Sequence, residues 1–296
     1  YQGRTLHVDD SIGTPLEFCA TMDDLPTNLQ RFELYKGASP MRLDHFQVVA
    51  HDVQKATEFY LDIGFRLTEF TATDGKDEIW GAWLQRKGNP HDIVFSNGKG
   101  PRLHHFAYAV PEVRDIVHVC DVAGSLGFDK HFERGPGRHG IGNALFVYFR
   151  DPDGHRIELF NAHYQAIDIN HTPLRWDLSN TRRSQLWGLP APAKWFYEAS
   201  LFGDKPVHEP VLKADPVTFQ TQVPHIYAAG DVIGIFSEGG ISRTGQILGF
   251  KRGLEWILER VESPIVPLHI DGMWGSPLTY SEGRYFTKWP RLFRRP

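Results

Sequence analysis

Cysteine is almost absent. Cys19 and Cys120 are the two in 296 residues, too few for a disulfide framework and suited to a reducing compartment, so the cytoplasm is the expected location. An excess of basic residues is missing too. Lys+Arg 32 against Asp+Glu 36 gives a formal net charge of −4. A phosphate backbone needs a clustered basic face, so nucleic acid is not an expected partner. The longest apolar run, Ala144 to Phe149, falls far short of the ~20 residues of a membrane helix, and no membrane span is expected. The residues after Tyr1 do not read as a signal peptide. Histidine, by contrast, is plentiful: 15 residues, beside 13% aromatics on a 41% hydrophobic chain. The length suggests about two domains, and imidazole chemistry is the first place to look.

The opening residues read as two strands around a turn at Gly13-Thr14-Pro15. Leu6 and Val8 alternate before the turn, Leu16 and Phe18 after it. Two strands alone are marginal in water, so residues 1–40 are expected to be the remnant of a preceding domain and a linker. A repeat follows. Residues 42–65, RLDHFQVVAHDVQKATEFYLDIGF, match residues 102–128, RLHHFAYAVPEVRDIVHVCDVAGSLGF. Each opens on Arg-Leu-x-His-Phe and runs through an apolar strand to an acid and a valine. Each then continues at helix period and closes on Gly-Phe. Strand-like runs come next: Glu78–Leu84 and Asp92–Phe95 in the first unit, Ala144–Phe149 and Arg156–Phe160 in the second. One β-α-plus-strands unit used twice, each copy covering the other's apolar face, is the expected architecture.

Alternation along a strand puts Leu43, His45 and Gln47 on one face, and Leu103, His105 and Ala107 on the equivalent face. In the last strand Arg156 and Glu158 share a face, with Ile157 and Leu159 opposite. Related units can bring His45 and His105 together inside a cupped sheet. A carboxylate buried there unpaired is costly, and a divalent metal would relieve that cost. Two imidazoles and one carboxylate leave open positions on a metal, as in non-haem ferrous oxygenases. Zinc with a bound water, giving a hydrolase or hydratase, is the rival. A histidine in a strand is otherwise an ordinary core or surface residue. Gly135 to Gly140 fits G-x-G-x-x-G literally, but a strand follows it rather than a helix, so it is not a dinucleotide fingerprint.

The segments LDHF (43–46), RKGNPHD (86–92), GPRLHHFAY (100–108), ERGPGRHG (133–140) and RDPDGHRIEL (150–159) together carry a resemblance. From about residue 1 to 217 the chain resembles the type I extradiol ring-cleaving dioxygenases of the vicinal oxygen chelate superfamily, most closely the 3,4-dihydroxyphenylacetate (homoprotocatechuate) 2,3-dioxygenases. The resemblance implies an α+β fold of tandem βαβββ modules, a glyoxalase-like cupped sheet around the metal. It implies a catalytic domain over 41–162, with modules 41–98 and 101–162, and a lid and substrate-pocket segment over 163–217. It implies Fe(II) or Mn(II) held by His45, His105 and Glu158. Catalytic roles fall on His91 (acid–base beside the oxygen site), Tyr148 (hydrogen bond to the catecholate) and His139 (proton path). Substrate contacts fall on Arg134, on Trp83 and on Arg183 with Arg182, which match the carboxylate-binding site. Gln47 stands where asparagine is expected, which bears on substrate positioning and not on the metal. The implied partners are a catechol and O₂, with a homo-oligomer in the intact family, and the implied product is a ring-opened semialdehyde. Plain catechol as substrate, an inactive metal-binding remnant, and a zinc- or nickel-loaded isomerase-like relative are the alternatives.

After residue 217 this resemblance stops. TQVPHIYAAGDVIG (221–234) resembles the second flavin-contacting segment of FAD-dependent pyridine nucleotide-disulfide oxidoreductases, with Asp231 at the cofactor position. Residues 236–296 resemble the acyl-acceptor half of phospholipid acyltransferases. Neither tail segment brings the rest of its parent's site: the Gly-rich fold and redox Cys pair of the flavin proteins are missing from the sequence, and the one H-x4-D spacing, which the acyltransferases need, is His163 to Asp168 within the dioxygenase resemblance. A composite chain with a foreign tail over 218–296 is the expectation. Residues 284–295 set five arginines and lysines among aromatics, and there a solvated end is expected.

Overall fold

Two helices end in the same way, and those ends explain the repeated Gly-Phe. In the computed structural model of the chain, α1 (Val53–Asp62) begins where Asp52 accepts a hydrogen bond from the Lys55 N–H. At its end Gly64 takes φ +90°, and the Phe65 N–H donates back to the Tyr60 carbonyl at 2.9 Å. The second helix, α2 (Val113–Ser125), starts with a reciprocal Glu112/Asp115 capping box. It ends with Gly127 at φ +75° and the Phe128 N–H on the Ala123 carbonyl. Glycine is favoured at each left-handed C′ position, and the N–H of the residue after it closes the turn.

The structure describes residues 3–28, 30–161, 163–189 and 191–212, and the backbone of 226–229 and 232–235. The chain divides into two units, Tyr1–Val217 and Thr218–Pro296. In the first, β1 (Thr5–Asp9) and β2 (Pro15–Cys19) form the hairpin read from the sequence. Its turn folds around Asp10, which accepts from the backbone of Ile12 and Thr14 and from the Tyr60 hydroxyl of α1.

The first copy then runs β3 (Arg42–Ala50), α1, β4 (Arg66–Ala72), β5 (Ile79–Gln85) and β6 (Ile93–Asn97). The second runs β7 (Arg102–Ala109), α2, β8 (Phe132–Arg138), β9 (Leu145–Arg150) and β10 (Arg156–Asn161). Two short strands, β11 (Leu174–Asp177) and β12 (Trp187–Gly188), complete one ten-stranded sheet in the order β11-β4-β5-β6-β3-β7-β10-β9-β8-β12. Each copy is βαβββ, the two meet at the antiparallel β3–β7 seam, and the segment after β10 pairs with both outer edges of the doubled sheet. The fold is the α+β arrangement of tandem βαβββ modules that the resemblance implies. In the second unit β13 (Ile226–Ala229) pairs antiparallel with β14 (Val232–Ile235). The remaining tail, including Asp231, lies outside the described residues.

Alternation decides which residues meet the helices. Val48, Ala50, Ala82, Leu84 and Phe95 pack under Val53, Ala56 and Tyr60 of α1. Val110, Leu145, Val147 and Leu159 pack with Ile116 of α2. The opposite, inner face sets the buried histidines and Glu158 among Ala107, Phe146, Tyr148, Phe160 and Trp195. Among the described residues no helix is long and apolar enough to cross a membrane, and neither cysteine is in a disulfide.

Candidate metal centre

His45, His105 and Glu158 meet on the inner face at the seam. One ligand atom from each lies within 4.8 Å of the others, and all three side chains are buried. The Nε2 atoms of both histidines are 3.1 Å from Glu158 Oε2. Glu158 and Arg156 point inward and Ile157 and Leu159 do not, as the alternation requires.

Strict alternation fails at the seam itself. The pairing steps from Leu43↔Tyr108 to His45↔Ala107, so Asp44 is an extra residue in β3. It also steps from Gln47↔His105 to Val48↔Leu103, so His104 is an extra residue in β7. Bulges of this kind re-aim side chains next to functional sites. Asp44 and His104 are therefore buried beside the histidines that follow them, and Leu43, expected on the same face as His45, is 45% exposed. Asp44 Oδ2 accepts from Nδ1 of His45 at 3.0 Å, and Nδ1 of His104 lies 2.8 Å from Nδ1 of His105.

The electrostatics fit a cation. Burial pushes His45 down, but Asp44 and Glu158 outweigh it and raise its pKa. Burial pushes the Asp44 carboxyl up, yet His45, His163 and Arg42 bring it to about 2. Burial likewise raises Glu158, and the imidazoles around it hold it well below the usual carboxylate range. Burial pushes His105 down to about 4, and its Nε2, though 3.1 Å from Glu158 Oε2, makes no hydrogen bond of good geometry. An unpartnered imidazole nitrogen facing a buried carboxylate is what a divalent ion would satisfy. Two nitrogens and a carboxylate oxygen suit Fe(II) or Mn(II).

A profile of the glyoxalase/bleomycin resistance protein/dioxygenase superfamily matches residues 42–159. The chain is 33% identical to a solved variant of homoprotocatechuate 2,3-dioxygenase from B. fuscum, covering 84% of this chain and 70% of that one, with a TM-score of 0.70. It is 34% identical over 157 residues to a manganese-dependent 2,3-dihydroxybiphenyl 1,2-dioxygenase of Geobacillus genomosp. 3, covering 51% of this chain and 49% of that protein. It is 31% identical over 185 residues to a metapyrocatechase of Geobacillus stearothermophilus, covering 59% and 54%. The chain belongs to the glyoxalase/bleomycin resistance protein/dioxygenase superfamily. It spans about half the length of these two curated relatives.

Within the superfamily fold, the other residues singled out from the sequence fall at different distances from the centre. His91 is buried with its ring 4.3 Å from that of His45, and its Nδ1 has no hydrogen-bond partner. Burial keeps it neutral, well below the ordinary histidine value. Tyr148 stands opposite Glu158 in the β9–β10 ladder, with its ring 5.3 Å from His105. Its hydroxyl donates to His139 Nε2 at 2.9 Å, while His139 Nδ1 donates to the Ser184 carbonyl at 2.6 Å. Burial and the Glu158 charge keep the phenol protonated.

Arg134 is buried behind this pair and donates to the Ser184 carbonyl and the Gln185 side chain. Gln47 turns to Ser96, donating at 3.0 Å. Trp83 is half-buried in β5, on the opposite face from Ala82 and Leu84 of the α1 core. Arg182 is exposed and Arg183 half-buried in a single turn capped by Asn180. The Arg182 carbonyl runs so close to Gly140 that a Cβ there would lie 2.5 Å from it.

Four groups at the centre were given no role from the sequence. Besides Asp44 and His104, His163 stacks on Phe160 at 4.2 Å and lies 4.8 Å from the His91 ring. The buried Glu69 of β4 accepts from the Gly142 N–H, the Tyr164 hydroxyl and the Trp176 indole at 2.6–2.8 Å. It thereby ties both copies and the post-β10 segment together. A polar residue directly before each repeated histidine was the available signal for Asp44 and His104. For His163 and Glu69 there was none.

Proposed function

We propose that this chain carries the ring-cleaving centre of an extradiol catechol dioxygenase, with His45, His105 and Glu158 as ligands of Fe(II) or Mn(II). The supporting observation is the conjunction of that buried triad with an unpartnered neutral imidazole, His91, on one side and a Tyr148–His139 hydrogen-bonded pair on the other. When bound, the metal would hold a catechol's two oxygens and O₂ next to one another, replacing a bimolecular encounter by a positioned one.

The chain's own groups supply the rest. His91 Nδ1 is free to accept a proton from a substrate hydroxyl, a task suited to a neutral imidazole. Tyr148, protonated and adjacent to Glu158, can share its hydroxyl proton between His139 and a substrate oxygen, and His139 is held in the accepting tautomer by Ser184. Arg134 braces that tyrosine–histidine side through Ser184 and Gln185. Trp83 would pack against the substrate's side chain. Arg183, with Arg182, offers charge to a carboxylate on that side chain, so 3,4-dihydroxyphenylacetate is the proposed substrate. A ring C–C bond breaks beside the diol and both oxygen atoms remain in the semialdehyde, so no further reductant is needed.

The test is anaerobic loading of the full chain with Fe(II) or Mn(II), then 3,4-dihydroxyphenylacetate and air. A yellow ring-opened product is expected. His91→Phe should cut kcat about a hundredfold or more. Arg183→Ala should raise KM for the acid and leave plain catechol nearly unaffected. No product from a chain with metal demonstrably bound would overturn the assignment, and equal losses on both substrates would remove the choice of acid.

A further inference from the structure

We propose that the second histidine ligand is set by a relay that leaves its own copy: His104 fixes the tautomer of His105, and the Trp195 backbone carbonyl fixes that of His104. His104 and the segment carrying Trp195 are thereby positioning groups for the metal. The inference rests on the reading of His45, His105 and Glu158 as ligands.

The hydrogen positions follow from what each atom can do. The Trp195 carbonyl can only accept, and His104 Nε2 lies 3.0 Å from it, so His104 carries its hydrogen on Nε2. A neutral imidazole has one such hydrogen, which leaves His104 Nδ1 as an acceptor. The atom 2.8 Å away is Nδ1 of His105, which must then be the donor. His105 Nε2 is left bare, 3.1 Å from Glu158 Oε2. The lone pair is thus aimed at the shared point before any ion arrives.

The first copy reaches the same outcome differently. There Asp44, at the repeat-equivalent position and on the matching bulge, accepts directly from His45 Nδ1. A carboxylate needs nothing behind it to be an acceptor. An imidazole does, because either nitrogen could carry its hydrogen, and Trp195 makes the choice. That residue is 91 positions further along the chain. It is held by Arg134 and Arg156, whose guanidinium carbons lie 4.9 and 4.3 Å from its ring. Tyr148 packs against its edge at 4.4 Å, and Glu198, three residues on, pairs with Arg150. Docking of the segment after β10 therefore completes the ligand set, although that segment contributes no ligand.

Two measurements on the full chain test this. In the metal-free protein, ¹⁵N spectra of the histidine rings should show His104 protonated at Nε2 and His105 at Nδ1. Mn(II) titration, followed by the EPR signal of the unbound ion, should show roughly 10- to 100-fold weaker binding in His104→Phe, the range typical for loss of a group behind a metal ligand. His104→Gln should recover affinity to within a few-fold, since its amide can accept from His105 and donate to Trp195. A His105 ring protonated at Nε2, or unchanged Mn(II) affinity in His104→Phe, would overturn the relay. If His104→Phe does not fold, the ring spectra of the unaltered chain decide. Failure of the unaltered chain to bind Mn(II) would instead overturn the ligand reading beneath it.

Discussion

The two βαβββ copies follow one path and bury different chemistry. Two positions beyond His105, Ala107 lies opposite Glu158 on the neighbouring parallel strand. Two positions beyond His45, Gln47 lies opposite Val94. The same place in the ladder thus holds a carboxylate in one copy and a hydrocarbon in the other. Two residues earlier the contrast recurs. Arg156, 1% exposed, donates to Glu133 and to the carbonyls of His104 and Glu198. Its counterpart Asp92 accepts from backbone N–H groups of the 86–87 loop. Duplication therefore supplies two imidazoles but one carboxylate to the shared point. The second copy also carries a buried Arg156–Glu133 pair at this place, where the first has Asp92 on a loop backbone.

That contrast can be broken at its strong end. Arg156→Met removes one of the two arginines on the buried Glu133, leaving Arg150, and strands the carbonyls of His104 and Glu198, so a loss of about 3 kcal/mol is expected in urea unfolding. A loss below about 1 kcal/mol would mean that the pair does not hold the second copy together. Next comes acid. Burial pushes the Glu133 carboxyl up, but Arg156 and Arg150 outweigh it and hold it at about 2, against an ordinary 4.5. A carboxyl depressed by folding stabilises fully above its unfolded pKa and loses that contribution as pH falls toward the folded one. Between about pH 4.5 and 2 the chain should lose about 3 kcal/mol from this group, and Glu133→Gln should flatten that part of the curve. If the variant's acid profile stays parallel to the original, the attribution fails. The smallest effect belongs to the first copy: Asp92→Ala, which removes acceptors at a partly exposed loop, should cost about 1 kcal/mol by the same urea measurement.

What could be read from the sequence was whatever repeats or alternates. The sixty-residue offset between His45 and His105 brought the two imidazoles together, and period two put Glu158 on the face of Arg156. Asp44 and His104 escaped because a two-residue period has no place for consecutive inward residues, and no local propensity announces a bulge. β8 escaped for another reason. Its Glu-Arg-Gly-Pro-Gly-Arg run reads as a turn, yet it is a strand because β9 pairs with it. There Gly135, at φ +89°, leaves room for the Phe146 carbonyl, which a Cβ would meet at 2.8 Å. His163, Glu69 and Trp195 act through partners far along the chain, and spacing cannot report such contacts.

The paired bulges have one more consequence. They sit on opposite strands of a single ladder, so the backbone bonds that join the halves also fix where both rings point. A slip of one residue between β3 and β7 would swing each imidazole to the far side of the sheet. Joining the halves and arming the pocket are one event, and damage confined to main-chain pairing could disarm it with every donor atom still in place.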